Sequence, residues 1–126
     1  MAERQHAEEQ VRWLSRVFMQ LPEPLMVEDT TGRIIEMNRA AEQRYGWPRE
    51  ELLGQSMHTL VPEAARAQVD SFLVHCRQGN RLEQVESVRQ TRAGDTLPVR
   101  LTVFPLMDEQ QVFLGIVTLA THQSLP

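Results

Sequence analysis

The chain has 126 residues, 41% apolar and 24% charged, which suits one globular domain with a single core. Its formal net charge is −4 and its 13 basic residues are scattered, so no basic patch indicates nucleic-acid binding. All of these basic residues are arginine, which excludes a Schiff-base lysine and a P-loop lysine.

The hydropathy pattern predicts neither a membrane segment nor a signal peptide. No apolar run approaches the roughly 20 residues that a spanning helix needs. The N-terminal residues, MAERQHAEEQ, are polar and mixed in charge. We therefore expect a cytoplasmic protein with no membrane contact through this chain.

Residues 3–21 are predicted to form an amphipathic helix that Pro22 and Pro24 end. Its apolar stripe has a 3-4-3 spacing and consists of Val11, Leu14, Phe18 and Leu21. An isolated helix of this length is marginal in water. We therefore expect it to dock on the domain's own sheet or on a partner.

A β-hairpin and two short helices are predicted next. Strands at residues 25–28 and 33–37 flank the turn sequence DTTG. Asn38 suits the N-cap of a short helix that Gly46 ends. Pro48 suits the first position of another short helix.

A longer helix is predicted over residues 62–78, because apolar residues recur there at helical spacing. Three strands are expected to follow, at residues 82–91, 97–104 and 112–120. The last of them is apolar on both faces, so it needs cover on both sides. The N-terminal helix is the candidate cover for the second side.

The order and spacing of three motifs carry a family resemblance. Residues 29–42 fit the run D-x-x-G-x-I-x-x-x-N-x-A-A-E, and residues 46–54 fit G-[aromatic]-x-x-E-E-[LV]-[LI]-G. The later segment TRAGDTLPVRLTVFPL is similar to a third motif, with Gly94 and Asp95 in swapped order. From residue 21 to residue 121 the chain therefore resembles the PAS family of sensory domains.

This resemblance implies an α+β fold. The expected sheet has five antiparallel strands in the order 2-1-5-4-3, with helices on one face and the amphipathic helix at the N-terminus. The chain is accordingly expected to divide into a dimerisation helix (residues 1–21), a PAS domain (22–121) and a C-terminal tail (122–126).

The resemblance also implies a non-catalytic role. PAS domains sense a small ligand or mediate pairing, and they regulate an attached output domain, often a histidine kinase of a two-component system or a cyclic-dinucleotide enzyme. The alternative is a ligand-free module for dimerisation and protein interaction, with a filled core. An enzyme is the third interpretation, but local spacing suggests no nucleophile–base pair.

The cofactor, if there is one, is left open by the sequence. Haem-binding members of the family typically carry Arg-x-x-His on the long helix, and here Val69 occupies the histidine position after Arg66. His75 falls away from the apolar face. Flavin is disfavoured because the reactive-cysteine motif N-C-R-F-L-Q is absent; Cys76 suits a small core residue, or an oxidant sensor only if it is exposed.

Two sets of residues are the candidate sites. An apolar pocket between helix and sheet, or equally a filled core, would be lined by Met37, Met57, Leu60, Val69, Phe72, Leu73, Leu101, Val103 and Val117. A homodimer interface would combine the helix stripe with the outer face of the sheet, through Val11, Leu14, Phe18, Leu21, Phe104, Leu114 and Ile116. No metal site is expected, because the four histidines are scattered singly.

Overall fold

The computed structural model describes residues 2–121, and only the backbone of residues 2–4. The predicted C-terminal tail, residues 122–126, lies outside the described residues. The helices are α1 (Ala2–Gln20), α2 (Arg39–Tyr45), α3 (Arg49–Leu52) and α4 (Arg66–Arg77). The strands are β1 (Leu25–Asp29), β2 (Ile34–Met37), β3 (Leu82–Gln90), β4 (Thr96–Met107) and β5 (Phe113–Thr121).

The five strands form one antiparallel sheet in the order β2-β1-β5-β4-β3, which confirms the predicted α+β fold. The central pair, β1 and β5, is aligned so that Val27 lies opposite Val117 and Glu28 lies opposite Ile116. Since side chains alternate between faces along a strand, this register assigns residues to the two sides of the sheet.

Asn38 joins the first helix after the hairpin to the sheet. Its side-chain oxygen accepts hydrogen bonds from Ala41 N at 3.1 Å and from Leu25 N at 3.0 Å. Its side-chain amide donates to the carbonyl of Glu23 at 3.0 Å. The predicted N-cap is therefore confirmed, and the same buried side chain also anchors the start of β1.

The start of α4 and the end of β4 differ most from the prediction. Residues 63–65 form a tight 3₁₀ turn, and α4 begins only at Arg66, whose Nε donates to the carbonyl of Val61 at 3.2 Å. Strand β4 continues through Pro105 to Met107, whereas the predicted strand ended at residue 104. Pairing with β3 is last seen at Val103, so the missing N–H of Pro105 removes no bond to β3.

The hydrophobic core lies on the face of the sheet covered by α4 and the short helices, hereafter the inner face. Helix α1 does not bury its whole apolar stripe against the opposite, outer face, as had been expected. Among its described apolar side chains only Phe18 and Met19 are half-buried, whereas Val11 and Leu14 are 65% and 68% exposed. Among the described residues, no helix is long and apolar enough to cross a bilayer.

Candidate functional site

Most residues of the predicted pocket meet in one packed cluster on the inner face. Leu73 is partly buried against this cluster. The fully packed members are Met37, Met57, Leu60, Val69, Phe72, Leu101 and Val103. Their side chains are buried and belong to one hydrophobic cluster, as in a packed core.

Two residues of strand β5 were predicted on the wrong face. Val117 pairs with Val27 and Phe104 on the outer face, so it cannot line an inner pocket. Ile116 is 0% exposed in the core, so it cannot form part of a dimer interface. Because both faces of β5 are apolar, hydrophobicity alone gave no sign of which residue faces inwards.

The other predicted interface residues lie at the surface or near it. Leu21 and Leu114 are exposed, and Phe104 is half-buried. The guanidinium of Arg81 lies over the Phe104 ring, 5.8 Å from its centroid. Phe104 is thus partly covered by its own chain rather than by α1.

A groove separates α1 from the outer side of β1 and β2. Its volume is about 600 Å³. Its lining combines the α1 stripe with the neighbouring sheet and consists of Val11, Leu14, Ser15, Phe18, Met19, Val27, Glu36 and Arg49. At its edge Arg49 Nη2 donates to both carboxylate oxygens of Glu36, at 2.5 and 2.7 Å. The groove is therefore apolar inside, with an ion pair at its rim.

The inner face also holds an acid that the sequence analysis missed. Glu28 is 3% exposed and shares the inner side of β1 with Met26. Burial raises the pKa of Glu28 to about 7; nearby Arg89 opposes this effect, and Asp29 and Asp70 reinforce it. The alternation of Met26 and Glu28 in β1 was the signal that could have identified it.

Arg89 is the second buried charged residue of the inner face, also 3% exposed. Its Nη1 donates to Ser87 Oγ at 2.9 Å and to the carbonyl of Val88 at 2.8 Å. Ser87 Oγ in turn donates to Gln68 Oε1 at 2.6 Å, which ties β3 to α4. Burial lowers the pKa of Arg89, while Tyr45 and Glu28 act in the opposite direction.

The lone cysteine lies on the buried side of α4. Cys76 is fully buried in the core, as expected of a small core residue. Burial, with a contribution from Glu28, raises the pKa of Cys76 to about 11. A thiol in this state is a poor nucleophile, so the geometry does not fit the oxidant-sensing alternative.

The residues considered for haem and metal binding are spread over the molecule. Val69 is buried in the core at the position of the expected ligand, and His75 is exposed on α4. His58 Nε2 lies 2.6 Å from Asp70 Oδ1 at the surface. Within residues 5–121, no three His, Cys, Asp or Glu side chains meet in a metal-binding group.

Comparison with known proteins agrees with this architecture. The family model described as the PAS fold matches residues 13–120. This chain belongs to the PAS family. Its PAS domain is 28% identical over 116 residues to the sensor protein FixL of Bradyrhizobium diazoefficiens. That match covers 87% of this chain but spans only 23% of the relative.

Solved PAS structures share the fold at low sequence identity. A PAS domain of an HTR-like protein from Haloarcula marismortui superimposes with a TM-score of 0.81 at 21% identity, covering 95% of this chain and 97% of that chain. A domain of a sensor histidine kinase/response regulator from Geobacter sulfurreducens gives 0.73 at 21% identity, with 90% and 94% covered. The PAS domain from Colwellia psychrerythraea gives 0.78 at 19% identity, with 88% and 94% covered.

Proposed function

We propose that this PAS domain is a non-catalytic sensory and relay module that acts as a homodimer through α1. In a larger signalling protein it would regulate an output domain such as a histidine kinase or a cyclic-dinucleotide enzyme. The names of two similar proteins support this role, since one is a sensor protein and the other a sensor histidine kinase/response regulator. The observation that carries the proposal is the exposed apolar stripe of α1.

The stripe is costly to leave in water. Val11 and Leu14 of the stripe, and Val17 beside it, are all more than half exposed on a helix that makes few contacts with the rest of its own chain. Burying a side chain of this size contributes roughly 1.5–3 kcal/mol. A second copy supplies cover most simply, because a two-fold arrangement buries the same stripe on both chains. The adjacent groove, with Val27 in its lining and an ion pair at its rim, extends that surface.

Leu14→Glu is the sharpest test of this dimer. Leu14 is 68% exposed in the single chain, so the substitution should leave the fold intact while placing a charge in the interface. We expect sedimentation equilibrium to show at least a tenfold weaker dimer. Phe18→Arg should act in the same direction, although it also disturbs a half-buried position.

Arg16→Gln is the matched control, since it makes the same change in net charge on the exposed opposite side of α1. It should dimerise like the unmodified chain. If Leu14→Glu and Arg16→Gln give the same association constant, α1 is not the interface.

The proposal that this domain binds a ligand has less support than the proposal that it dimerises. A small apolar or weakly polar molecule would have to occupy the inner face, where buried side chains now pack. This packing favours the second candidate function, a ligand-free module for dimerisation and interaction. Native mass spectrometry with an absorbance scan distinguishes the two. A co-purified metabolite or chromophore would support ligand sensing, and a colourless, ligand-free dimer would support the interaction module.

A further inference from the structure

Glu28 lies where three parts of the fold meet. The strand β1 carries it on the inner face, opposite the apolar residues Ile116 of β5 and Ile34 of β2. A Cβ built on Gly32, in the turn between β1 and β2, would lie 3.7 Å from Glu28 Oε2 and 3.5 Å from Leu73 Cδ1 of α4. The carboxyl group therefore sits at the junction of the sheet, the turn and α4.

The ionisable groups around this junction do little to stabilise a negative charge on Glu28. Asp29, next to it on β1, and Asp70, on α4, both disfavour its negative charge. Hydrogen bonds from Thr31 hold the pKa of Asp29 below its usual value, so Asp29 is ionised beside it. Cys76 of α4 presents a neutral thiol.

Arg89 of β3 is the cation that favours the ionised form of Glu28. It acts through space, because its guanidinium donates its hydrogen bonds to Ser87 and Val88. With Glu28 only 3% exposed, little water can reach its carboxyl group. An ionised carboxylate buried in this way is strongly disfavoured, whereas a neutral one is tolerated.

We propose that Glu28 is a proton-controlled switch for the packing of α4 on the sheet. While neutral, it stays beneath α4; once ionised, it favours an arrangement in which α4 and the β1–β2 turn separate enough for water to reach it. Protonation can shift this equilibrium because the two arrangements bind the proton with different affinity. Burial raises the pKa of Glu28 to about 7, so the transition falls near neutral pH.

Glu28 lies on β1, a strand that also contributes to the surface of the proposed dimer. Val27, the preceding residue of β1, points to the opposite face and lines the groove beside α1. Movement of β1 would therefore alter the inner and the outer face together. This coupling rests on the proposed relay function, whereas the titration of Glu28 and the response of α4 do not.

Hydrogen exchange of the full chain tests the switch without reference to dimerisation. We expect exchange in residues 66–77, corrected for the chemical rate, to accelerate by up to about tenfold per pH unit above neutrality. Glu28→Gln, which cannot ionise, should remove this acceleration. The proposal would be overturned if the corrected exchange rate of the unmodified chain did not change with pH, or if it rose equally in Glu28→Gln.

A second variant covers the case in which Glu28→Gln fails to fold. Asp70→Asn removes a nearby negative charge from an exposed position. It should move the carbon-13 NMR titration midpoint of Glu28, expected near 7, to lower pH. Glu86→Gln removes an exposed carboxylate that has no part in the shift, and it should leave the midpoint unchanged. A midpoint near the ordinary glutamate value, or one unmoved by Asp70→Asn, would refute the switch.

Discussion

The two faces of the sheet differ in how much of their apolar surface is buried. On the inner face, α4 and the short helices bury a continuous core, and the charged residues Glu28 and Arg89 lie within it. On the outer face, α1 leaves its stripe in solvent, and Leu114 is 45% exposed. The inner face is complete in one chain, whereas α1 leaves apolar side chains exposed, as the proposed dimer requires.

The largest expected difference between the faces is in stability. Ile116→Ala removes a side chain that is 0% exposed on the inner face, and it should lower the free energy of unfolding by about 3 kcal/mol. Leu114→Ala, two residues away and exposed, should lower it by less than about 1 kcal/mol. Urea denaturation measures both. Equal losses would mean that Ile116 is not buried in the core while Leu114 is exposed.

The pH dependence of stability sharpens the comparison on the inner face. The pKa of Glu28 is raised from 4.5 to about 7 in the folded chain, so the unfolded chain loses this proton first as pH rises. Stability from this group is therefore greatest at low pH and falls between about 4.5 and 7, by about 3 kcal/mol in all.

The Glu28→Gln variant should lack that decline, while keeping the pH dependence due to the other groups. Urea midpoints at pH 5 and pH 8 give the comparison. If the unmodified chain is no less stable relative to Glu28→Gln at pH 8 than at pH 5, the buried acid has no unusual pKa.

The reactivity of the Cys76 thiol measures how well the inner face is protected. Its pKa, raised from 9.0 to about 11, lowers the thiolate fraction near pH 8 by about 100-fold. Alkylation of the folded chain should therefore be slower than that of the urea-unfolded chain by at least this factor. Similar rates in the two states would show that α4 does not protect the core.

Local chemistry in the sequence accounts for much of the fold. Asn38 and Gly46 bracket α2 as their capping preferences predict, and the DTTG turn lies between β1 and β2. The strand order followed from the family resemblance rather than from any pattern of residues. Motifs and caps act over a few residues, so they can be read without knowing what lies across the sheet.

The missed features depend on contacts between distant segments. Register decides that Ile116 faces inwards and Val117 outwards, and it is set by pairing with β1 and β4. Glu28 is buried because α4 lies over it, far along the chain. The position of α1 also could not be predicted from the sequence, since its stripe fits its own sheet or a partner equally well.

The central claim is that the outer face and α1 are completed by a second copy of the chain. Sedimentation equilibrium of the unmodified chain at micromolar concentration tests this claim most directly. The account predicts a mass twice the 14.5 kDa of one chain, reduced towards a single chain in Leu14→Glu. A mass of 14.5 kDa at every concentration would contradict it.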